Sequence, residues 1–283
     1  LVAMVDKYFS DKKYKLFTVS FDKNSNSDES DDAKEFVKGF NQNNFEHVIL
    51  QLDSNTIKNR LINLYDFIDE PFADSAVLLN MAISEEAKKY SSVVLYGDGA
   101  DELFFGYDRY LDFIKFKNIN LLKKYFYLLV EIFIQSRRLF LSSITDSLEL
   151  SLQLLNITYP KNKKISQKIK KLFMYESIEN INNNNEFISK IDLKSYLTDA
   201  MLYKVDRSSM ANSLEVRVPF LDNEVLDFAL SSTFEEKFTK KLGTKSQLKE
   251  LLSKLAPHYK LYSTKKGFSF PLLEWLQNDW KDL

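Results

Sequence analysis

With 283 residues, 45% hydrophobic and 14% aromatic, the chain can bury a substantial core, as one large domain or as a domain with a helical extension. Its 39 lysines and arginines against 40 acidic residues provide no basic field of the kind that phosphate-backbone binding needs, so nucleic acid is not an expected partner. The absence of cysteine excludes disulfides, thiolate metal sites and cysteine nucleophiles and suits a reducing cytosol, and only His47 and His258 offer imidazoles for a histidine triad or a zinc site.

Leu1 to Val5 reads as the inside of a helix with no initiator methionine, signal peptide or cap before it, which predicts that the sequence is a piece of a longer chain. Residues 15–21 (KLFTVSF) and 47–52 (HVILQL) are runs rich in β-branched and aromatic residues, and helical stretches at 30–40 and 54–68 follow them. A helix at 76–89 then precedes a nearly all-apolar run, 92–96, that ends at Gly97. This alternation predicts an α/β fold with a parallel sheet covered on both faces. Ligands in such sheets lie beyond the carboxyl ends of the strands, which directs attention to the turns after Phe21 and Tyr96.

From about Asp108 onward apolar residues recur at helical spacing through Leu155, with further helices expected at 165–175 and 196–210, so the second half is mostly α. The most apolar stretch, the ten residues 125–134, carries Glu131 and is too short for a membrane span of roughly 20 residues. It predicts a buried helix and no membrane partner. The segments 161–171 and 182–185 read as a solvated helix face and a loop.

Three places carry residues suited to chemistry. Tyr96, Gly97, Asp98, Gly99, Asp101 and Glu102 join a strand end to a new helix, interleaving two glycines with three carboxylates. The glycines permit a tight turn and close approach of a ligand, and clustered acids repel unless a cation such as Mg²⁺ neutralises them. A helix cap formed by Asp98, with Asp101 and Glu102 complementing the dipole, accounts for the same residues. Second, Lys204, Asp206 and Arg207 precede the run 214–222, in which Glu215 and Arg217 share one side of an extended segment, either clamping an anion or pairing with each other. Third, Lys265, Lys266 and Gly267 form a loop able to deliver an ammonium to a phosphate, or an ordinary surface turn.

In this order the pieces resemble the synthetase domain of glutamine-dependent asparagine synthetases, in the PP-loop ATP pyrophosphatase superfamily, over residues 1–283. YGDGADELFFGYDRY resembles the family's SGEGADELFGGY, and KVDRSSMANSLEVRVPFLD matches its KVDR and EVRVPFLD strings almost letter for letter. The resemblance implies an adenine nucleotide alpha-hydrolase-like fold, with an α/β nucleotide-binding part at 1–110 and a mostly helical part at 111–283. It implies an ATP- and Mg²⁺-dependent ligase, cytoplasmic, that adenylates the side chain of aspartate or a similar carboxylate. Ammonia from a separate glutaminase domain then displaces AMP, and a homodimer is among the assemblies it admits.

The resemblance also implies residue roles. Phe21, Asp28, Glu29 and Ser30 lie on the adenosine side; Asp74, Ser75, Tyr96, Gly97, Gly99, Asp206, Arg207 and Arg217 contact nucleotide or substrate; Asp101 binds magnesium; Asp98 acts as base or positioning carboxylate; and Lys265, in a K-x-G-F context with Pro271 and Trp275, neutralises phosphate charge. Phe21, Asp98, Asp101 and Lys265 are expected to line one cleft. The family's SGGxDS pyrophosphate loop is not present, and the expectation is that the sequence starts just after it and is inactive alone. Tyr96 stands where the family usually has serine, Asp98 where glutamate is common and Phe105 where glycine is usual. A relative amidating another carboxylate such as a sugar acid, and a non-catalytic binding module, are the alternatives.

Overall fold

The computed structural model of the protein describes residues 1–21, 28–41, 43–134, 140–142, 144, 147–155, 185–260 and 270–281. In chain order these contain α1 (Val2–Tyr8), β1 (Tyr14–Ser20), α2 (Ser30–Lys38), β2 (Phe45–Gln51), α3 (Ser54–Ile62), α4 (Ala76–Lys88) and β3 (Val93–Leu95). There follow α5 (Ala100–Leu103), α6 (Asp108–Lys117), α7 (Leu121–Ile134), α8 (Ser147–Leu155), α9 (Phe187–Lys194), α10 (Tyr203–Met210) and β4 (Glu215–Arg217). The last are α11 (Asn223–Ser231), α12 (Phe234–Lys237), α13 (Ser246–Leu255) and α14 (Leu272–Gln277). Strands alternate with helices in the first part and helices dominate after it, as the sequence pattern predicts. The expected helix at 165–175 lies outside the described residues.

Two compact units divide the chain: residues 1–98, 200–225 and 247–283 form one, and residues 99–199 and 226–246 the other. In the first, β1 pairs in parallel with β2 from Tyr14 opposite Phe45 to Ser20 opposite Gln51, joined through α2. Parallel strands need such a crossover, because their ends point the same way. β3 pairs in parallel with β4, with Val94 opposite Val216, so the extended segment expected at 215–218 becomes the neighbour of the acidic strand end. The core beneath combines Phe21, Ile57, Val77, Leu79, Phe270, Trp275 and Trp280.

Local chemistry explains the element ends. Asp53 caps α3 by accepting the Thr56 N–H at 2.7 Å. That helix ends at Ile62, earlier than the expected 68, and a short 3-10 turn, Leu64–Asp66, follows. Both histidines are engaged structurally: His47 Nε2 lies 2.8 Å from Thr18 Oγ1, and His258 Nε2 lies 3.2 Å from the Phe36 carbonyl. Burial, and then Lys34, hold the His47 imidazole below its usual pKa.

In the second unit Phe105, Tyr110, Phe113, Leu150, Ile188 and Ile191 form the core. The helix expected around 125–134 is present as α7, but its expected burial is not: Tyr125, Phe126 and Leu129 are 60% or more exposed, while Lys124 turns inward to donate to the Ile144 carbonyl at 2.7 Å. Tyr127 and Val130 are only part-buried. Apolar residues stand on both faces of this helix, so its composition does not reveal which face meets the core.

Candidate active site

The carboxyl end of β1 is closed by the segment after it. Asp28 Oδ2 accepts the Phe21 N–H at 2.8 Å and the Ser20 hydroxyl at 2.7 Å, and Oδ1 accepts the Ser30 N–H at 2.7 Å. Burial pushes the Asp28 carboxyl up, but the hydrogen bonds from Ser30, Ser20 and Phe21 outweigh it and hold the pKa below the usual carboxylate value. Glu29 flanks α2, its carbonyl accepting from Ala33 N–H, and Ser30 is its first, buried residue. Phe21 is buried and meets Trp275 edge to face at 6.2 Å, so one end of the expected K-x-G-F-x-x-P-x-x-x-W motif packs on this strand end. Lys265 and Lys266 lie outside the described residues.

In the same unit, Asp74 and Ser75 begin α4. Asp74 Oδ1 accepts the Ala76 N–H at 3.0 Å, and its Oδ2 is 2.6 Å from Lys204 Nζ on α10. Arg207, one turn further along α10, stacks on Tyr203 and lies 3.3 Å from Asp69. Asp206 is exposed. Arg217 and Glu215 pair with each other at 2.7 Å and are exposed, which is the pairing reading of that segment, while the Arg217 carbonyl accepts the Tyr96 N–H at 2.9 Å. The Tyr96 hydroxyl is buried. Its pKa is pushed up to about 12, first by burial, with the nearby Ser84 opposing the shift and Asp98 adding to it. Gly97 is exposed with open space where a Cβ would stand, and Asp98 is half-buried.

Asp101 belongs to the other unit, whose first residue is Gly99. Gly99 adopts φ 82°, a left-handed conformation that glycine takes without steric cost, and starts α5. Asp101 Oδ1 is 2.8 Å from Lys245 Nζ. Next to Asp101, Glu102 is buried and accepts the Tyr107 hydroxyl at 2.8 Å; burial pushes the carboxyl of Glu102 and the phenol of Tyr107 up. Asp192, fully buried on α9, accepts from Arg109 at 2.5 Å and from the Tyr110 hydroxyl at 2.6 Å.

Three of these contacts have no signal in the sequence. Lys204 stood inside the KVDR string but was not assigned a contact, and its reach to Asp74 shows only when α10 packs on α4. Lys245 has no motif around it that marks it as Asp101's partner. Asp192 sits in a helix whose sequence, FISKIDLK, looks ordinary.

Parallel strands alternating with helices, with carboxylates and hydroxyls gathered past the strand ends, define an α/β protein of the kind that takes ligands at that edge. The chain belongs to the asparagine synthase family, whose profile matches residues 1–283, and it has the adenine nucleotide alpha-hydrolase-like fold of that family. It is 31% identical over 285 residues to asparagine synthetase (glutamine-hydrolyzing) 1 of Bacillus subtilis, covering 94% of this chain and 44% of that protein. A putative asparagine synthetase (glutamine-hydrolyzing) of Mycobacterium tuberculosis is 27% identical over 237 residues, 75% of this chain and 34% of its own length. A putative asparagine synthetase (glutamine-hydrolyzing) 2 of Methanocaldococcus jannaschii is 42% identical over 66 residues, 23% of this chain and 13% of its own. The chain thus spans less than half the length of these relatives.

Proposed function

We propose that this chain carries the adenylating and amide-forming part of an ATP-dependent ligase. In this reading the aspartate side-chain carboxylate attacks the α-phosphate of ATP and expels pyrophosphate. Ammonia then attacks the acyl carbon of the acyl-adenylate and AMP leaves. The observation that carries the reading is the family match along residues 1–283. The parent protein would be a cytoplasmic glutamine-dependent amidotransferase whose glutaminase domain supplies the ammonia, with a homodimer as one assembly to test.

The residues divide the work. Phe21, Asp28, Glu29 and Ser30 shape the adenosine side, where the hydrogen bonds to Asp28 fix the backbone in advance. Tyr96, Gly97 and Gly99 bring backbone close to the nucleotide. Asp74, Ser75, Asp206, Arg207 and Arg217 act on nucleotide or acceptor, and Asp74, both of whose oxygens have protein partners, also holds the start of α4 in place for that contact. Asp98 is the carboxylate that positions the attacking ammonia or takes a proton from it, and Lys265 offsets phosphate charge. The α/β part at 1–110 would hold the nucleotide and the helical part at 111–283 the remainder of the site.

Asp101 fits magnesium as one hard-oxygen ligand, part-buried and already beside a cation. Among the described residues no three acids or histidines cluster as a metal site. The ion would draw its other ligands from water and phosphate, as Mg²⁺ commonly does at ATP sites, and would supply charge stabilisation to phosphoryl transfer.

The test is pyrophosphate release and amide formation by the full-length protein that carries this chain, measured together against a panel of carboxylates including aspartate and sugar acids, with ammonia supplied directly. Asp101→Asn is expected to abolish both products. Asp98→Asn is expected to lower amide formation by roughly 10²- to 10⁴-fold, with a smaller effect on acceptor-dependent pyrophosphate release. Full activity of Asp101→Asn would overturn the assignment in favour of a helix-cap role.

A further inference from the structure

Asp101 already has a cation on it. Lys245 Nζ lies 2.8 Å from Asp101 Oδ1, with the two side chains 28% and 21% exposed, so the pair is partly withdrawn from solvent. The surroundings are shaped around this contact. Lys245 adopts φ 55°, uncommon for a residue with a side chain, and donates its N–H to the Phe104 carbonyl at 3.2 Å, which roots the lysine next to α5. Gly106 donates its N–H to the Asp101 carbonyl at 2.7 Å, and a Cβ there would stand 2.0 Å from Asp101 Oδ1 and 2.3 Å from Lys245 Cε. The loop that carries the lysine is itself braced, since Ser246 Oγ donates to the Gly243 carbonyl at 2.8 Å and accepts the Thr239 N–H at 2.9 Å.

A carboxylate oxygen that contacts an ammonium cannot simultaneously accept a divalent cation at close range without like-charge repulsion between the two cations. A lysine ammonium is a compact point charge on a flexible stem, so it can leave one anion for another without moving its backbone. An incoming nucleotide brings several phosphate oxygens together with the metal. We propose that Lys245 is an exchangeable counter-ion: it occupies Asp101 while the metal is away, and passes to the phosphate oxygens of the nucleotide when Mg²⁺ takes the carboxylate. This rests on the reading of Asp101 as the magnesium ligand. A lysine serving only to hold the fold would instead help metal and nucleotide alike, by keeping Asp101 in place.

The two roles differ in sign, and binding rather than turnover separates them. Mn²⁺ serves as the probe, titrated into the full-length protein that carries this chain and followed by the paramagnetic resonance of the free ion, with and without α,β-methylene ATP. Loss of the competing ammonium in Lys245→Gln is expected to tighten Mn²⁺ binding in the absence of nucleotide by about 3- to 10-fold, and to weaken nucleotide binding in the presence of Mn²⁺ by about 10-fold or more. Lys245→Arg keeps the charge and is expected to leave metal-only binding near that of the parent. Circular dichroism melting checks that each variant is folded, and Lys245→Met replaces Lys245→Gln if it is not. Mn²⁺ binding that is unchanged or weaker in the neutral variant overturns the proposal, as does Mn²⁺ binding undetectable without nucleotide in parent and variant alike. Asp101→Asn separates the two levels: if it binds Mn²⁺ as the parent does, the magnesium assignment itself falls, whereas impaired binding there with no tightening in Lys245→Gln removes the exchange alone.

Discussion

Lys204 reaches Asp74 across 130 positions of sequence, its ammonium 2.6 Å from Oδ2, and thereby ties the KVDR helix to the start of α4. The two partners differ in burial: the Lys204 side chain is 6% exposed and that of Asp74 33%. Removing one member of a buried pair leaves the other charge uncompensated, and the cost depends on whether water can replace the missing partner. Asp74→Ala leaves a buried ammonium with the Met201 thioether as its other side-chain contact among the described residues, and is expected to destabilise by about 3 kcal/mol. Lys204→Met leaves a carboxylate that water reaches and that keeps the Ala76 N–H, so about 1 kcal/mol is expected. Denaturant unfolding of both variants checks the order, and a larger loss for Lys204→Met contradicts it.

Phe105 occupies a left-handed conformation, φ 61°, at the position where the family's signature usually has glycine. That conformation costs a non-glycine residue about 1–2 kcal/mol, which glycine would recover. The Phe105 ring is fully buried, however, and packs on Tyr110 at 4.8 Å and on Phe234 at 5.0 Å. Deleting a buried phenylalanine side chain costs about 3–5 kcal/mol, so packing outweighs strain. Phe105→Gly is therefore expected to be destabilised by about 1–4 kcal/mol, although it restores the more usual residue. A thermal midpoint at or above that of the parent would show that the strain dominates.

What could be read beforehand was what local chemistry dictates. The runs KLFTVSF and HVILQL are strands because β-branched and aromatic residues alternate with turn-forming segments, and both fall within two residues of the observed β1 and β2. Asp101 could be singled out because carboxylates interleaved with glycine are costly to gather. Its partner Lys245 could not, since the contact depends on how residues 144 positions apart pack. The pairing of β4 with β3 was equally hidden, for a three-residue strand carries too little pattern to choose a neighbour. The exposure of α7 departs from the expected burial because an apolar composition says how much surface seeks cover, not which arc finds it.

Asp28 provides the pH test of the segment that closes β1. Its folded-state pKa is lowered, because Ser30, Ser20 and Phe21 all donate to the ionised carboxylate more strongly than burial opposes it. A group whose pKa is depressed on folding stabilises fully above its unfolded value, near 3.9 for aspartate, and loses that contribution as pH falls through the folded value. In Asp28→Asn one oxygen becomes an NH₂ group that accepts nothing, so either the Ser30 N–H or the Phe21 N–H loses its partner. The expected cost near neutral pH is about 1 kcal/mol, at the low end for a lost hydrogen bond because Asp28 is only half-buried. In acid the parent's carboxyl also takes up a proton and gives up its advantage, so the difference between the two proteins is expected to narrow below about pH 4. Urea unfolding midpoints of parent and variant, taken from pH 7 down to pH 2.5, measure this directly. A difference that stays constant over the whole range would mean that the Asp28 charge contributes nothing, and that shape alone closes the segment onto Phe21.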